Sequence, residues 1–130
     1  MIVVDASAIL EVLIRSVAAS NIEQRIFASG QTLHAPHLLD VEIANVLRRR
    51  EAVGELGHPR GLEALYDLAD LPILRYPQHF FLPRIWRLRN NLSAHDAAYV
   101  ALAEELDAPL LTRDQRIGRA FGHHARIEIV

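Results

Sequence analysis

Short runs of consecutive apolar residues alternate along the chain with longer segments whose apolar positions recur at helical spacing. Ile2 to Val4 is a β-branched run ending at Asp5, the pattern of a strand buried on both faces whose last residue emerges at a sheet edge. Ile9, Leu10, Leu13 and Ile14 then form a helical stripe, with Ser7 placed to cap it and Asp5 heading the turn. A second helix is predicted over Ala18 to Ala28, with Ile22, Ile26 and Phe27 inward and Gly30 just past its end. Thr32 to Ala35 reads as a strand stopped by Pro36. A third helix follows from His37 to Arg50, with Leu39, Ile43, Val46 and Leu47 on its buried face and Glu42 and Asn45 on one polar stripe.

The glycine-rich segment Val53 to Gly61 predicts a loop before a helix of Leu62 to Leu71. Ile73 to Tyr76, bounded by prolines, is a further strand, and Phe80 to Arg89 a helix with Pro83 in its first turn. Aromatic residues at helical spacing usually serve a core, so Phe80, Phe81 and Trp86 are expected inside, with a protein-binding surface as the alternative. Ser93 caps a segment, Ala94 to Leu106, that is apolar on most sides and hence central. Pro109 to Leu111 is the next strand, Asp114 to Phe121 a short helix, and Ile127 to Val130 a last strand. Strands alternating with helices, each strand short and nearly all apolar, predict an α/β fold: a three-layer α/β/α sandwich with a largely parallel central sheet.

Length and composition narrow this picture. One hundred and thirty residues, 51% of them hydrophobic, suit one domain spanning residues 1–130. The absence of cysteine removes disulfides, thiolate nucleophiles and Cys-ligated zinc. No apolar run approaches the ~18 residues of a membrane span, so no membrane partner and a cytoplasmic location are expected. A formal net charge of −2 gives no global attraction for polyanions, which must then meet a local patch. All fourteen basic residues are arginine, so no mechanism that needs a lysine is available.

In parallel sheets ligands gather at the carboxyl ends of the strands. Asp5 and Asp114 fall at those ends, and Glu42 and Asp96 sit in the opening parts of helices that follow loops. Each acid also has a plain structural use. Asp96 follows Ser93 at capping-box spacing, Asp114 can cap the short helix after it, Asp5 can start a turn, and Glu42 can occupy an exposed face. If the four converge, their mutual repulsion pushes protons onto some of them unless cations neutralise the cluster. An all-oxygen site of that kind suits Mg²⁺ or Mn²⁺, which can activate water against a phosphodiester. His95, His123 and His124 lack the i, i+4 spacing of paired metal ligands.

The segments MIVVDASAIL, HLLDVEIANVLRR and LSAHDAAYVALAEELDAPLLTRD, in that order, resemble the PIN-domain family, particularly the VapC-type ribonuclease toxins of bacterial toxin-antitoxin pairs. The likeness spans almost the whole chain. It implies that Asp5, Glu42, Asp96 and Asp114 are the metal-binding and catalytic acids of a Mg²⁺- or Mn²⁺-dependent endoribonuclease, meeting around one cation-sized gap. It further implies that Ser7 and Thr112 support the metal site or touch phosphate, and that Asn45 orients Glu42. A VapB-like antitoxin and a homodimer are the implied protein partners. RNA is the implied substrate. By position alone Arg48 to Arg50, Arg84, Arg87, Arg89, Arg113, Arg116 and Arg119 are candidate phosphate contacts, Arg113 and Arg116 foremost because they flank Asp114, with a solvated helix face as the plain use of each. Receiver-type phosphoryl transfer is disfavoured by the missing lysine and by the absence of a DxD after the first strand. The alternative is a non-cleaving RNA-binding or partner-binding module, against which the intact acidic quartet counts.

Overall fold

The computed structural model describes residues 1–130. Five strands, β1 (Ile2–Val4), β2 (Leu33–Pro36), β3 (Ile73–Tyr76), β4 (Leu110–Thr112) and β5 (Ile127–Ile129), form one sheet in the order β3-β2-β1-β4-β5. Every pairing is parallel. The first three strands in that order run backwards through the sequence, and the last two run forwards from β1. The reversal at β1 leaves a crevice beyond the carboxyl ends of β1 and β4, where no connecting helix can cross. Val3 pairs with Leu110 and Val4 with Leu111, so Asp5 and Thr112 come out side by side at that crevice.

Seven helices cover the sheet: α1 (Ala6–Leu13), α2 (Ala19–Ile26), α3 (Leu38–Ala52), α4 (His58–Asp70), α5 (Leu82–Arg87), α6 (Ala94–Leu106) and α7 (Gln115–Arg119). Helix α6 lies on β1, β2 and β4 with α5 packed against it, whereas α1 to α4 pack on one another and meet the sheet through α1 on β4 and α3 on β2. Ala97 to Ala103 are seven consecutive buried residues. Four of them are alanines, which lets α6 approach the sheet closely while its N-terminal turn stops at the crevice. A cluster of 28 buried residues joins β1, β2 and β4 to α1, α3 and α6.

Several local expectations change. Asp5, not Ser7, caps α1: its carboxylate accepts the Ala8 N–H, because the strand ends one residue before the helix begins. Helix α4 starts at His58, ahead of the expected Leu62, since Pro59 in the first turn lacks an N–H that would be unpaired there anyway. Pro36 closes β2 inside the sheet, and the ladder resumes with His37 N–H donating to the Tyr76 carbonyl at 2.8 Å. A 3-10 turn over Gln78–Phe81 precedes α5, which is shorter than the predicted helix. Phe27, Phe80 and Trp86 are exposed, not inside; α5 is too short to bury two faces and turns Ile85, not Trp86, toward the core. The Arg89 guanidinium stacks on the exposed Trp86 ring, 4.5 Å from its centre.

Candidate active site

The crevice at β1 and β4 is held by a small relay of hydroxyls. Ser7 Oγ accepts the Arg113 N–H at 2.9 Å and donates to Asp5 Oδ1 at 2.7 Å. Thr112 Oγ1 accepts the Asp114 N–H at 3.0 Å and donates to Asp5 Oδ2. A hydroxyl that receives a backbone N–H has its own proton free to point elsewhere, and here both protons point at one carboxylate. With the Ala8 N–H at 3.0 Å, Asp5 accepts three bonds, all from neutral donors, while buried, and an ionised carboxylate with about four acceptor positions still has one to offer an ion. Burial pushes its pKa up, the bonds from Thr112, Ser7 and Ala8 pull against that, and the charge of Asp96 adds to the rise.

Glu42 reaches the same place from the second turn of α3. Tyr99 Oη, on α6 three residues beyond Asp96, donates to Glu42 Oε1 at 2.9 Å. Burial raises the Glu42 pKa, Tyr99 and His95 oppose the rise, and the charges of Asp5 and Asp96 add to it. The Tyr99 phenol is pushed far above its ordinary range, first by burial and then by the Glu42 carboxylate, so it is a donor at every working pH. Asp96 sits in the first turn of α6, its N–H bonded to the Ser93 cap at 3.2 Å. Burial raises its pKa as well; Ser93, Arg116 and His95 work downward and Asp114 upward. Asp114 differs. It caps α7, and its pKa is depressed, chiefly by hydrogen bonds from the Arg116 side chain.

Asp5, Glu42, Asp96 and Asp114 all line one cavity of about 310 Å³, together with Ser7, Tyr99 and Arg116 and an apolar back wall that includes Leu10, Ile43 and Val46. As they stand, no three of the acids are grouped closely enough to ligate one ion. The single cation-sized gap expected from the sequence is therefore not preformed, which follows from like charges facing one another with one guanidinium among them. The donor set nonetheless fits a hard divalent cation: every donor is oxygen, and Asp5, Glu42 and Asp96 form no bond to a basic side chain. A larger cavity of about 530 Å³ along α3 and α4 is a poorer site, because its one acid, Asp40, is already forked by Arg75 at 2.7 and 2.9 Å.

Other residues singled out in the sequence lie elsewhere. Asn45 is exposed and spends its carbonyl on Arg48 at 2.9 and 3.1 Å, so the group orienting Glu42 is Tyr99, not Asn45. One helical step along α3 turns Asn45 past the cavity edge. Tyr99 was hidden because a tyrosine inside AAYVALA reads as core; its spacing of three from Asp96 was the available signal. Arg113 is drawn away, its guanidinium on the Val130 carbonyl at 3.2 Å and 3.8 Å from Glu11. Arg84 is pinned to Glu104 by two 2.8 Å bonds and is not a free phosphate contact. His124 also binds Glu104, at 2.7 Å, and His123 faces the Ile117 carbonyl; neither lines the cavity.

A family model described as PIN domain matches residues 2–121. The chain is 38% identical over 130 residues to ribonuclease VapC12 of Mycobacterium tuberculosis H37Rv, covering 100% of this chain and 99% of that one. It is 46% identical over 117 residues to ribonuclease VapC9 of the same strain, covering 90% and 88%. Among solved structures, VapBC2 from Rickettsia felis, bound to a DNA fragment from their promoter, superposes with a TM-score of 0.71 at 12% identity, covering 99% of this chain and 98% of that one. At that identity the likeness is one of fold.

Proposed function

This chain belongs to the PIN-domain family and, within it, to the VapC ribonucleases, and from there we propose that it is a divalent-metal-dependent endoribonuclease, the toxin of a toxin-antitoxin pair. The observation that carries the proposal is the convergence of four acids from four separate stretches of chain on one cavity at the reversal point of the sheet. Caps and turns account for Asp5, Asp96 and Asp114 one at a time. They do not account for Glu42 or for the shared cavity.

Asp5, Glu42, Asp96 and Asp114 are the residues that would hold Mg²⁺ or Mn²⁺. Bound there, such an ion supplies a water of lowered pKa and charge neutralisation at the scissile phosphate. The protein's part is positional. Ser7 and Thr112 aim the Asp5 carboxylate and oppose the rise that burial imposes on its pKa, Tyr99 does the same for Glu42, and Ser93 fixes the turn that presents Asp96. Arg116, on the cavity wall, is the side chain suited to a phosphate oxygen pair. RNA is the proposed substrate and the cytoplasm the proposed location; no helix is long and apolar enough to cross a membrane. A VapB-like antitoxin and a second copy of the chain are the proposed partners, and the exposed Phe80, Leu82 and Trp86 supply apolar surface for such contacts.

The test is cleavage of RNA by the purified protein with Mg²⁺ or Mn²⁺, against excess chelator and against Asp5→Asn. Cleavage is expected only in the first. Equal cutting in chelator refutes the metal mechanism, and tight RNA binding without cutting, metal present, supports a binding module instead.

A further inference from the structure

We propose that Arg116 is a built-in counter-ion that must leave Asp114 before a divalent cation is held in the cavity, and that once displaced it takes a phosphate of the RNA. This rests on the reading of the cavity as the metal site of a ribonuclease. Arg116 contributes every side-chain and backbone donor that Asp114 accepts. Its N–H and Nε reach Oδ1 at 2.9 and 3.0 Å, and its Nε and Nη2 reach Oδ2 at 3.2 and 2.6 Å. An ionised carboxylate has about four acceptor positions, so four contacts from one residue leave Asp114 nothing to offer an ion. The fourth acid of the quartet is present but engaged.

The guanidinium is also the only cationic side chain lining the cavity, and its charge is felt at Asp96 as well as Asp114. It therefore stands where a cation is wanted. Nothing else restrains it: the side chain is 86% exposed and bonds only Asp114. The other forked arginines are anchored more firmly. Arg75 also binds the Ile73 and Leu68 carbonyls, and Arg84 the Gly122 carbonyl. Arg116 can thus swing out by breaking one solvent-exposed ion pair, and its tether at the start of α7 keeps it at the cavity mouth. A fork that fits a carboxylate fits a phosphate equally. The same residue then opposes metal binding and favours substrate binding, so its removal moves the two in opposite directions.

The deciding experiment titrates Mn²⁺ into metal-free wild-type protein, Arg116→Ala and Arg116→Lys, reading free Mn²⁺ by electron paramagnetic resonance, with Asp5→Asn as the site control. Arg116→Ala is expected to bind Mn²⁺ about threefold to tenfold more tightly than wild type, and Arg116→Lys, a point charge without the fork, in between. At saturating metal, Arg116→Ala should raise KM for a single-stranded oligoribonucleotide and lower the slope of log KM against log salt by about one. A capping role alone moves neither the Mn²⁺ affinity upward nor the salt slope. Equal or weaker Mn²⁺ binding by Arg116→Ala overturns the counter-ion role and leaves the ribonuclease reading standing. No Mn²⁺ bound by wild type or either variant overturns both. Tighter Mn²⁺ with unchanged KM and salt slope overturns the phosphate contact.

Discussion

Replacing Tyr99 by phenylalanine removes one oxygen from the centre of the protein and nothing else. Tyr99 is 1% exposed, and the ring of phenylalanine fills the same space, so no cavity larger than the lost hydroxyl is made. What disappears is the 2.9 Å bond to Glu42 Oε1, the only hydrogen bond the Glu42 side chain receives. A bond to a charged group contributes about 1.5–3 kcal/mol. For a chain of 130 residues that corresponds to a fall in Tm of roughly 5–10 °C. The loss has a definite pH dependence. Burial already raises the Glu42 pKa in the folded state, so the native protein binds a proton more readily there than the unfolded chain does, and stability falls as pH rises from the ordinary glutamate value through the folded one. Without Tyr99 the folded pKa rises further, which deepens that fall. The variant should therefore match wild type most closely near pH 4, where Glu42 is protonated in both, and differ most at pH 7 and above. Urea unfolding of metal-free protein at the two pH values measures it. Equal destabilisation at both, or a difference under about 0.5 kcal/mol at neutral pH, refutes the assignment of Tyr99 as the donor that stabilises the Glu42 carboxylate against the rise in its pKa.

Further predictions concern the neighbours of that pair. Asp5→Asn should abolish cleavage yet make the metal-free protein more stable at neutral pH, because the folded-state pKa of Asp5 is raised by burial and its charge costs stability above that value; equilibrium unfolding showing a loss would favour a purely structural Asp5. Arg84→Met strips the fork from Glu104, whose side chain is 5% exposed, and should cost about 3–5 kcal/mol. Because the net pKa of Glu104 is depressed, its burial penalty outweighed by Arg84 and by the His124 N–H, that cost should shrink as pH falls through the depressed value, as thermal melts from pH 7 to 3 would record. Asn45→Ala should leave the rate of RNA cleavage within about twofold, since Asn45 engages Arg48 and not the cavity; a drop of about a hundredfold, the upper range for a residue that orients a metal ligand, would restore it to that role.

The strands and the central helix were legible because their signals are local. IVV, ILRY and LLT are short apolar runs between breakers, and AAYVALA is apolar on every side of a helix, as its complete burial requires. Asp5 and Asp114 were legible as neighbours for a related reason: each follows the end of an apolar run, and in a parallel sheet those ends share one edge. What escaped depended on side-chain direction across elements distant in sequence. Whether Asn45 or Tyr99 meets Glu42 turns on a single helical step and on the approach of α6 to α3, which no local pattern encodes. Asp5 takes the capping place expected of Ser7 because the helix begins two residues earlier than a Ser7 cap implies. Phe80 and Trp86 carry the spacing of core residues, but Phe80 falls in the 3-10 turn before α5 and Trp86 on a helix too short to hide it.

The pairing of β1 with β4 also governs when the cavity can exist. Asp5 emerges first during synthesis, but the Thr112 hydroxyl that holds it lies 107 residues later, and Val3 needs the Pro109 carbonyl for its own ladder bond. Such distant contacts form late, after the loop closures they require. A nascent chain therefore carries Asp5 and Glu42 through most of its translation without a pocket to put them in. By this topology the cavity, and whatever chemistry it supports, exists only once the β4 segment has been made and paired with β1.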